Sequence, residues 1–250
     1  MEGTIVNLPE VIRLKKKYKA YLYVDEAHSI GALGPNGKGV ADLFKTGTKD
    51  IDILMGTFTK SFAAFGGYIS ASKEIINHLR VSSHSPCYAQ SMSPPVMQQI
   101  ASTLSVIQGH DGTAEGKMKI QRLRQNAVYM RENLQKLGFH VYGHPECPIV
   151  PVKVSLICLP WVSRMMQAAG VSIVVVGSPA VAFFETRIRF CLSASHSRQQ
   201  IDKVIDILDQ IGHVMCAKKN KPDSFAEYRA KNMLRHRKGN YIEMADFIFG

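Results

Sequence analysis

Two short apolar runs along the chain end abruptly in reactive groups. Tyr21-Leu22-Tyr23-Val24 leads into Asp25-Glu26-Ala27-His28, and Ile53-Leu54-Met55-Gly56 leads into Thr57-Phe58-Thr59-Lys60-Ser61. Apolar runs of this length bounded by polar and turn residues read as buried strands, here Ala20 to Val24 and Ile53 to Phe58. In open α/β sheets ligands sit beyond the carboxyl ends of the strands, so a carboxylate and a lysine just past two strands can converge on one ligand.

The remaining pattern alternates helices and strands. Pro9 at a first turn, with Val11, Leu14, Lys15 and Tyr18 at helical spacing, predicts a short helix whose Arg13, Lys15, Lys16 and Lys17 face water. Gly31 to Gly39 is a glycine-rich loop, Gly66 to Ser70 a further strand, Lys73 to Arg80 a helix, and Pro94-Pro95 opens a helix to Ile107. A long amphipathic helix from Glu115 carries Ile120, Leu123, Ala127, Met130, Leu134 and Leu137 on one stripe and stops at Gly138. Beyond it come strand Ile149 to Cys158, helix Trp161 to Ala169, strands Val171 to Val176 and Arg187 to Ser193, and helix Arg198 to Ile211. In the strand from Thr186 to Ala194, Ile188, Phe190, Leu192 and Ala194 form the face to be buried, which makes Arg187 a surface salt-bridge residue. The expected division is 1–110, a connecting helix 111–138, a small α+β unit 139–216 and a basic tail 217–250.

Composition narrows the function. At 250 residues a sizeable core is affordable, and no run approaches the length of a membrane span. The net charge of +11 invites nucleic acid as a partner, but between Lys218 and Lys238 eight basic residues face only Asp223 and Glu227. So concentrated a charge reads as a solvated tail, and nucleic acid is not an expected partner. Cys87, Cys147, Cys158, Cys191 and Cys216 are odd in number and scattered, which speaks for reduced thiols rather than a zinc site or a disulfide framework.

Three chemistries compete for the reactive groups. Val24-Asp25-Glu26-Ala27-His28 matches the acidic box of nucleic-acid ATPases, but no phosphate loop of the form this needs occurs in these 250 residues: Gly37-Lys38 lies after the box and precedes Gly39, and Gly116-Lys117 is followed by Met118. Asp25 and His28 alone do not make a metal site. The third chemistry joins Asp25 to Lys60. A lysine buried at a strand end loses its charge readily and becomes a Schiff-base nucleophile, and an aspartate holds a pyridine nitrogen protonated. Those are a protein's contributions to pyridoxal phosphate chemistry, with Thr57, Thr59 and Ser61 as hydroxyl donors. Spacing alone leaves a surface-loop lysine open.

Gly56-Thr57-Phe58-Thr59-Lys60-Ser61-Phe62, Tyr21 to Gly39 and Arg189-Phe190-Cys191-Leu192-Ser193-Ala194-Ser195-His196 together resemble the pyridoxal-phosphate-dependent α-oxoamine synthases. The likeness runs from about Met1 to Met215 and is nearest to the catalytic subunits that begin sphingolipid synthesis. It implies an α/β fold: the C-terminal part of the large domain of a fold-type I, aspartate-aminotransferase-like transferase, plus a small α+β domain. It implies that Lys60 holds the cofactor and later moves a proton, that Asp25 pairs with the pyridinium, and that His28 hydrogen-bonds near the ring hydroxyl. Thr57 is then a phosphate or ring-oxygen contact, Ser91 a contact to a partner subunit's phosphate, and Arg189 the holder of the substrate carboxylate. His196 is equally a turn residue or a catalytic one.

The implied reaction condenses L-serine with a long-chain acyl-CoA to 3-ketosphinganine with loss of CO₂. The implied setting is a heterodimer with a non-catalytic subunit of the same family, on the cytosolic face of the endoplasmic reticulum membrane. The resemblance places the family's membrane anchor, ring-stacking histidine and a phosphate-binding glycine segment upstream of Met1, so a fragment is expected. A truncated, non-catalytic chain that binds partner subunits is the alternative. Ala63-Ala64-Phe65 replaces a smaller, glycine-bearing run, so Phe65 is expected to crowd the cofactor or repack the loop. Ser178 to Ala182 departs from a Pro-Ala-Thr-Pro loop.

Overall fold

The computed structural model describes residues 1–212; Cys216 and the basic tail lie outside them. Helix α1 (Leu8–Tyr18) starts with proline in its first turn and ends at Lys19, whose left-handed backbone (φ 51°) turns its amide back to the Lys15 carbonyl. The face it buries is Leu8 and Ile12. Leu14 and Tyr18, expected on the inner stripe, are exposed. Lys15, expected in water, is drawn inward instead, pairing with Asp52 at 2.8 Å and donating to the Asp50 carbonyl at 2.8 Å. Its long stem can lie along apolar surface while its amine reaches an acceptor.

Strands β1 (Tyr23–Asp25) and β2 (Ile53–Thr57) pair in parallel, Asp25 opposite Met55, and β3 (Gly67–Ala71) pairs antiparallel on the far side of β2. The first strand begins later than its apolar run, since Tyr21 is 92% exposed and only Val24 is buried. Between β1 and β2, the short helix α2 (Val40–Leu43) is capped by an unforeseen residue. The Glu26 carboxylate is 3% exposed, accepts the Val40 amide at 3.0 and 3.1 Å, and takes a short hydrogen bond from the Ser29 hydroxyl. Gly39 leaves room for it: at φ +90°, a Cβ there would fall 2.4 Å from the Glu26 carboxylate. The second acidic group of the box is therefore spent inside the fold. Leu8, Ile12, Val24, Leu33, Val40, Ala41 and Ile51 form the core around it.

Helices α3 (Lys73–Ser82), α4 (Ser85–Tyr88) and α5 (Pro94–Gln108) follow. Helix α6 (Glu115–Lys136) lies against α5 so closely that a Cβ on Gly116 would meet the Val106 carbonyl oxygen at 2.2 Å. The expected stripe packs, with Ala127, Met130 and Leu134 essentially inaccessible and Leu137 partly buried. Two polar residues are buried beside it. Asn126 donates to the Ser193 and His196 carbonyls at 3.1 and 3.0 Å, and Arg131 donates to the Tyr142 and Ile149 carbonyls.

The second sheet is antiparallel in the order β4 (Ile149–Lys153), β6 (Arg187–Cys191), β5 (Val174–Val176), covered by α7 (Leu159–Ala168) and α8 (Arg198–Gly212). Its core runs from Met130 and Leu134 through Val150, Val152 and Ile188 to Leu208. The expected strand to Cys158 stops at Lys153 and becomes a 3₁₀ turn over Leu156–Cys158. Arg187 is not a surface residue: it is 2% exposed, because a bend of the chain at Tyr142 and the first residues of the chain cover its face of the sheet. No helix among the described residues is long and apolar enough to cross a membrane.

Glu26→Ala removes the acceptor from a buried amide and a buried hydroxyl, so it is expected to destabilise the chain by about 2 kcal/mol. Gly39→Ala should cost at least as much, through the clash and the positive φ. Chemical denaturation measures both, and an unchanged midpoint for Glu26→Ala would return that carboxylate to the list of free functional groups.

Candidate active site

Because β1 and β2 are parallel, the loops that leave them emerge on one edge of the sheet. The Glu26 amide donates to the Met55 carbonyl at 2.7 Å, extending the ladder one step past Asp25. Asp25 itself is exposed and accepts the Ala27 amide at 2.8 Å, which fixes its carboxylate over the start of the loop.

The Lys60 loop closes on itself. The Phe58 amide bonds the Gly66 carbonyl and the Ala64 amide the Phe58 carbonyl, each at 2.9 Å. The Thr57 hydroxyl lies 3.0 Å from the Gly66 carbonyl and 2.9 Å from the Thr59 hydroxyl, so it fastens the two ends of the loop. Phe62, 1% exposed, anchors the loop by an edge-on contact with Phe58 at 5.1 Å. From α5, Gln99 donates to the Phe62 carbonyl at 3.2 Å. With Phe62 turned in, Lys60 is turned out: it is exposed, contrary to the expectation of a buried lysine, because it stands on the connection rather than on the strand. Phe65 is also exposed, at 74%, and does not crowd this edge; the strain sits at Ala63, whose φ is 49°.

The two loops touch. Gly31 at φ +77° lies so near Ser61 that a Cβ would come within 2.5 Å of the serine's own. The pKa of His28, three residues before Gly31, reflects charges from both loops. Partial burial lowers it first, followed by the positive charges of Lys60, the amino terminus and Arg189, while Asp25 opposes them. The charges of Lys60, Arg189 and Asp25 all act on His28, although Arg189 comes from the middle strand of the other sheet.

Ser91 is exposed on the stretch between α4 and α5, with no hydrogen bond to Asp25, His28, Lys60 or Arg189. Its neighbour Met92 reaches the loop, its methyl standing 2.8 Å from where a Cβ on Gly66 would be. His196 closes the turn after β6, its Nδ1 accepting the Ser193 amide at 3.2 Å. That is a structural role. An open cleft of about 610 Å³ flanks the end of β2, between Thr57, Tyr68, Ile76, Leu79 and Arg80. No group of three or more His, Cys, Asp or Glu among the described residues is arranged to hold a metal ion. Sequence reasoning missed Glu26, Phe62 and Gly31 as the groups that set the loops. The Gly31-to-Gly39 run was the available signal for the tight backbone approaches.

The sequence profile of the class I and II aminotransferases matches residues 1–208. The chain belongs to that family. Among curated relatives, human serine palmitoyltransferase 3 is 49% identical over 219 residues, covering 86% of this chain and 39% of the relative. Serine palmitoyltransferase 2 of Saccharomyces cerevisiae is 46% identical over 227 residues, 90% of this chain and 40% of the relative. The chain thus spans about two fifths of the length of these relatives. A solved structure of SPT with a PLP internal aldimine superposes with a TM-score of 0.78 at 25% identity, covering 87% of this chain and 53% of the other. Serine palmitoyltransferase from S. paucimobilis with a bound PLP–myriocin aldimine does so with a TM-score of 0.78 at 25% identity, over 86% and 53%. The fold of this family member is accordingly the α/β fold type I of the pyridoxal-phosphate-dependent transferases.

The neighbourhood can be tested without any ligand. By NMR the His28 midpoint should lie below 6.5, rise in Lys60→Ala and in Arg189→Ala, and fall further in Asp25→Asn. The shift also carries a stability consequence. With its folded pKa lowered, His28 resists protonation in the fold, so its share of stability is intact above pH 6.5 and declines as pH falls through 6.5 towards the folded value. A midpoint indifferent to Lys60 would separate the two loops. Ala63→Gly should raise stability by about 1 kcal/mol, because glycine relieves the left-handed strain; denaturant unfolding decides it.

Proposed function

We propose that this chain carries the lysine-bearing half of a pyridoxal-phosphate-dependent acyltransferase that condenses L-serine with a long-chain acyl-CoA, releasing CO₂ and CoA and forming 3-ketosphinganine. This reading is supported by the parallel exit of the Asp25 and Lys60 loops from one sheet edge and by the close approach of Gly31 to Ser61, with the charges of Lys60, Arg189 and Asp25 all acting on His28. An amine for an aldehyde, a carboxylate for a pyridine nitrogen and a guanidinium for a substrate carboxylate are the donor set that pyridoxal phosphate and an amino acid require. When bound, the cofactor supplies an electron sink for the pair released at the amino acid's Cα.

The chain's own residues divide the remaining work. Lys60, on a loop pinned by Phe62 and Thr57, would hold the cofactor's aldehyde through its amine and would move the proton at the amino acid's Cα. Asp25, held by the Ala27 amide, keeps a proton on the ring nitrogen. His28, disposed to the neutral form by burial and by Lys60, is a hydrogen-bond partner beside the ring hydroxyl that adds no further positive charge. Arg189 takes the serine carboxylate through a charge-assisted pair. Thr57 supports the loop through the Gly66 carbonyl, and its O–H, turned from that carbonyl, or the O–H of Thr59 would donate to the phosphate or ring oxygen. Ser91 serves the partner subunit's phosphate across the interface of a heterodimer with a non-catalytic subunit of the same family.

In this reading residues 1–110 are the C-terminal half of the cofactor domain, 111–138 the connecting helix and 139–216 the small domain. The complex works on the cytosolic face of the endoplasmic reticulum membrane. Identities of 49% and 46% to serine palmitoyltransferases support the substrate class.

Incubation of the chain and its partner subunit with pyridoxal phosphate, borohydride reduction and peptide mass spectrometry should place a pyridoxyl group on Lys60 and none on that peptide in Lys60→Ala. Labelling spread over exposed lysines would overturn the assignment. In the active complex, Arg189→Ala should raise the KM for serine by about tenfold or more while leaving that for acyl-CoA nearly unchanged.

A further inference from the structure

Arg187 heads the fully buried side chains of the described residues by size. Its guanidinium stacks on the Tyr142 ring at 5.2 Å, its Nε donates to the Glu185 carbonyl at 2.8 Å, and its Nη1 pairs closely with the Glu2 carboxylate. The Glu185 carboxylate is 4.0 Å away on the other side. Burial of the same site pushes the Tyr142 hydroxyl up to about 12, so Tyr142 faces the guanidinium as a neutral ring. A buried guanidinium held from both sides is a costly device unless it fixes something, and here it fixes the start of the chain.

Residues 1–7 form a strap. At one end Leu8, 1% exposed, roots it in the core beneath the first sheet. At the other it lies on the second sheet. The Gly3 carbonyl accepts the His144 amide at 2.7 Å, and at φ +61° a Cβ on Gly3 would fall 2.7 Å from the Ile149 carbonyl oxygen and 2.9 Å from the Pro151 ring. Gly143 answers it: at φ +88°, a Cβ there would strike the Gly3 carbonyl oxygen at 2.6 Å. Arg131 braces the surface beneath by holding the Tyr142 and Ile149 carbonyls. Next along the strap, the Met1 sulfur lies 3.9 Å from Arg189 Nη1. Pro151, under Gly3, is the register partner of Arg189 on β6. Arg187 and Arg189 are two residues apart on this strand and so project from the same face.

We propose that the Glu2–Arg187 pair is a latch that seats the strap on β4 and so sets the position of Arg189, two residues further along the same face of β6. Glu2 and Arg187 are then positioning residues that govern recognition of the substrate carboxylate. The latch spans the two sheets, so it also fixes the height of the small sheet relative to the edge that carries Asp25. The consequence for catalysis rests on the function proposed above; the latch itself does not.

The test uses Glu2, which is half-exposed, so its substitution spares the core. In Glu2→Gln, amide hydrogen exchange should quicken at residues 1–5 and 187–189 and stay unchanged in α8. The His28 midpoint should rise as Arg189 withdraws, whereas loss of the Glu2 charge alone would lower it. In the cofactor-loaded complex the KM for serine should increase about tenfold with kcat within about twofold and the KM for acyl-CoA unaltered. Glu2→Asp should restore much of the serine affinity. Unchanged exchange at 187–189, or a His28 midpoint that falls, overturns the latch. A uniform loss of both kcat and KM values together with a lowered melting temperature overturns the positioning role and leaves only a structural one. If the unsubstituted complex does not turn over serine, the proposed function fails, and the latch is then decided by exchange and the His28 midpoint.

Discussion

The parallel pairing of β1 with β2 is the constraint on which the rest depends. Parallel neighbours deliver their carboxyl ends to the same edge, so the Asp25 loop and the Lys60 loop have to leave side by side. The bond from the Glu26 amide to the Met55 carbonyl carries this register past the last paired residue. A slip by one residue would turn Asp25 to the opposite face and put a buried side chain in its place. Several unrelated details serve that edge. The buried Glu26 carboxylate holds the first loop down, Phe62 and Thr57 pin the second, and Gly31 lets the two approach within the space of a missing side chain.

The second sheet carries Arg189 on its middle strand, and that sheet is secured from two directions. Helix α6 runs between the sheets, fitted to α5 at Gly116 and to the turn after β6 through Asn126, which holds both the Ser193 and His196 carbonyls. The strap before α1 ties the opposite side. A long helix resists bending, and an anchored strap resists sliding, so together they define where Arg189 stands. Asn126 and Arg131 donate to backbone carbonyls and Arg187 to the Glu185 carbonyl, while Arg131 Nε and Arg189 Nε are buried without a hydrogen-bond partner.

The electrostatics of the edge follow from the same placement. Partial burial and the charges of Lys60, the amino terminus and Arg189 lower the His28 pKa, and Asp25 tempers this without reversing it.

Much of this was legible before any coordinates. The strand-to-reactive-group transitions at Asp25 and Thr57 to Lys60, the long stripe of α6, and the α/β alternation are local signals, because the periods of 2 and 3.6 residues are imposed by backbone geometry wherever one face is buried. The resemblance to a pyridoxal-phosphate family rested on residues that are contiguous in the chain. Other features depended on what the chain meets far away. Lys15 and Arg187 look like surface cations in sequence, but one found Asp52 and the other Glu2 and Tyr142. Glu26 looked as reactive as Asp25 until its carboxylate closed on Val40. Lys60 looked buried at a strand end and was turned outward by Phe62. By itself the sequence determined which elements form and which side chains are chemically equipped. Only the tertiary structure decided which of those side chains remain free, because burial and pairing of a charge depend on partners brought in from elsewhere in the chain.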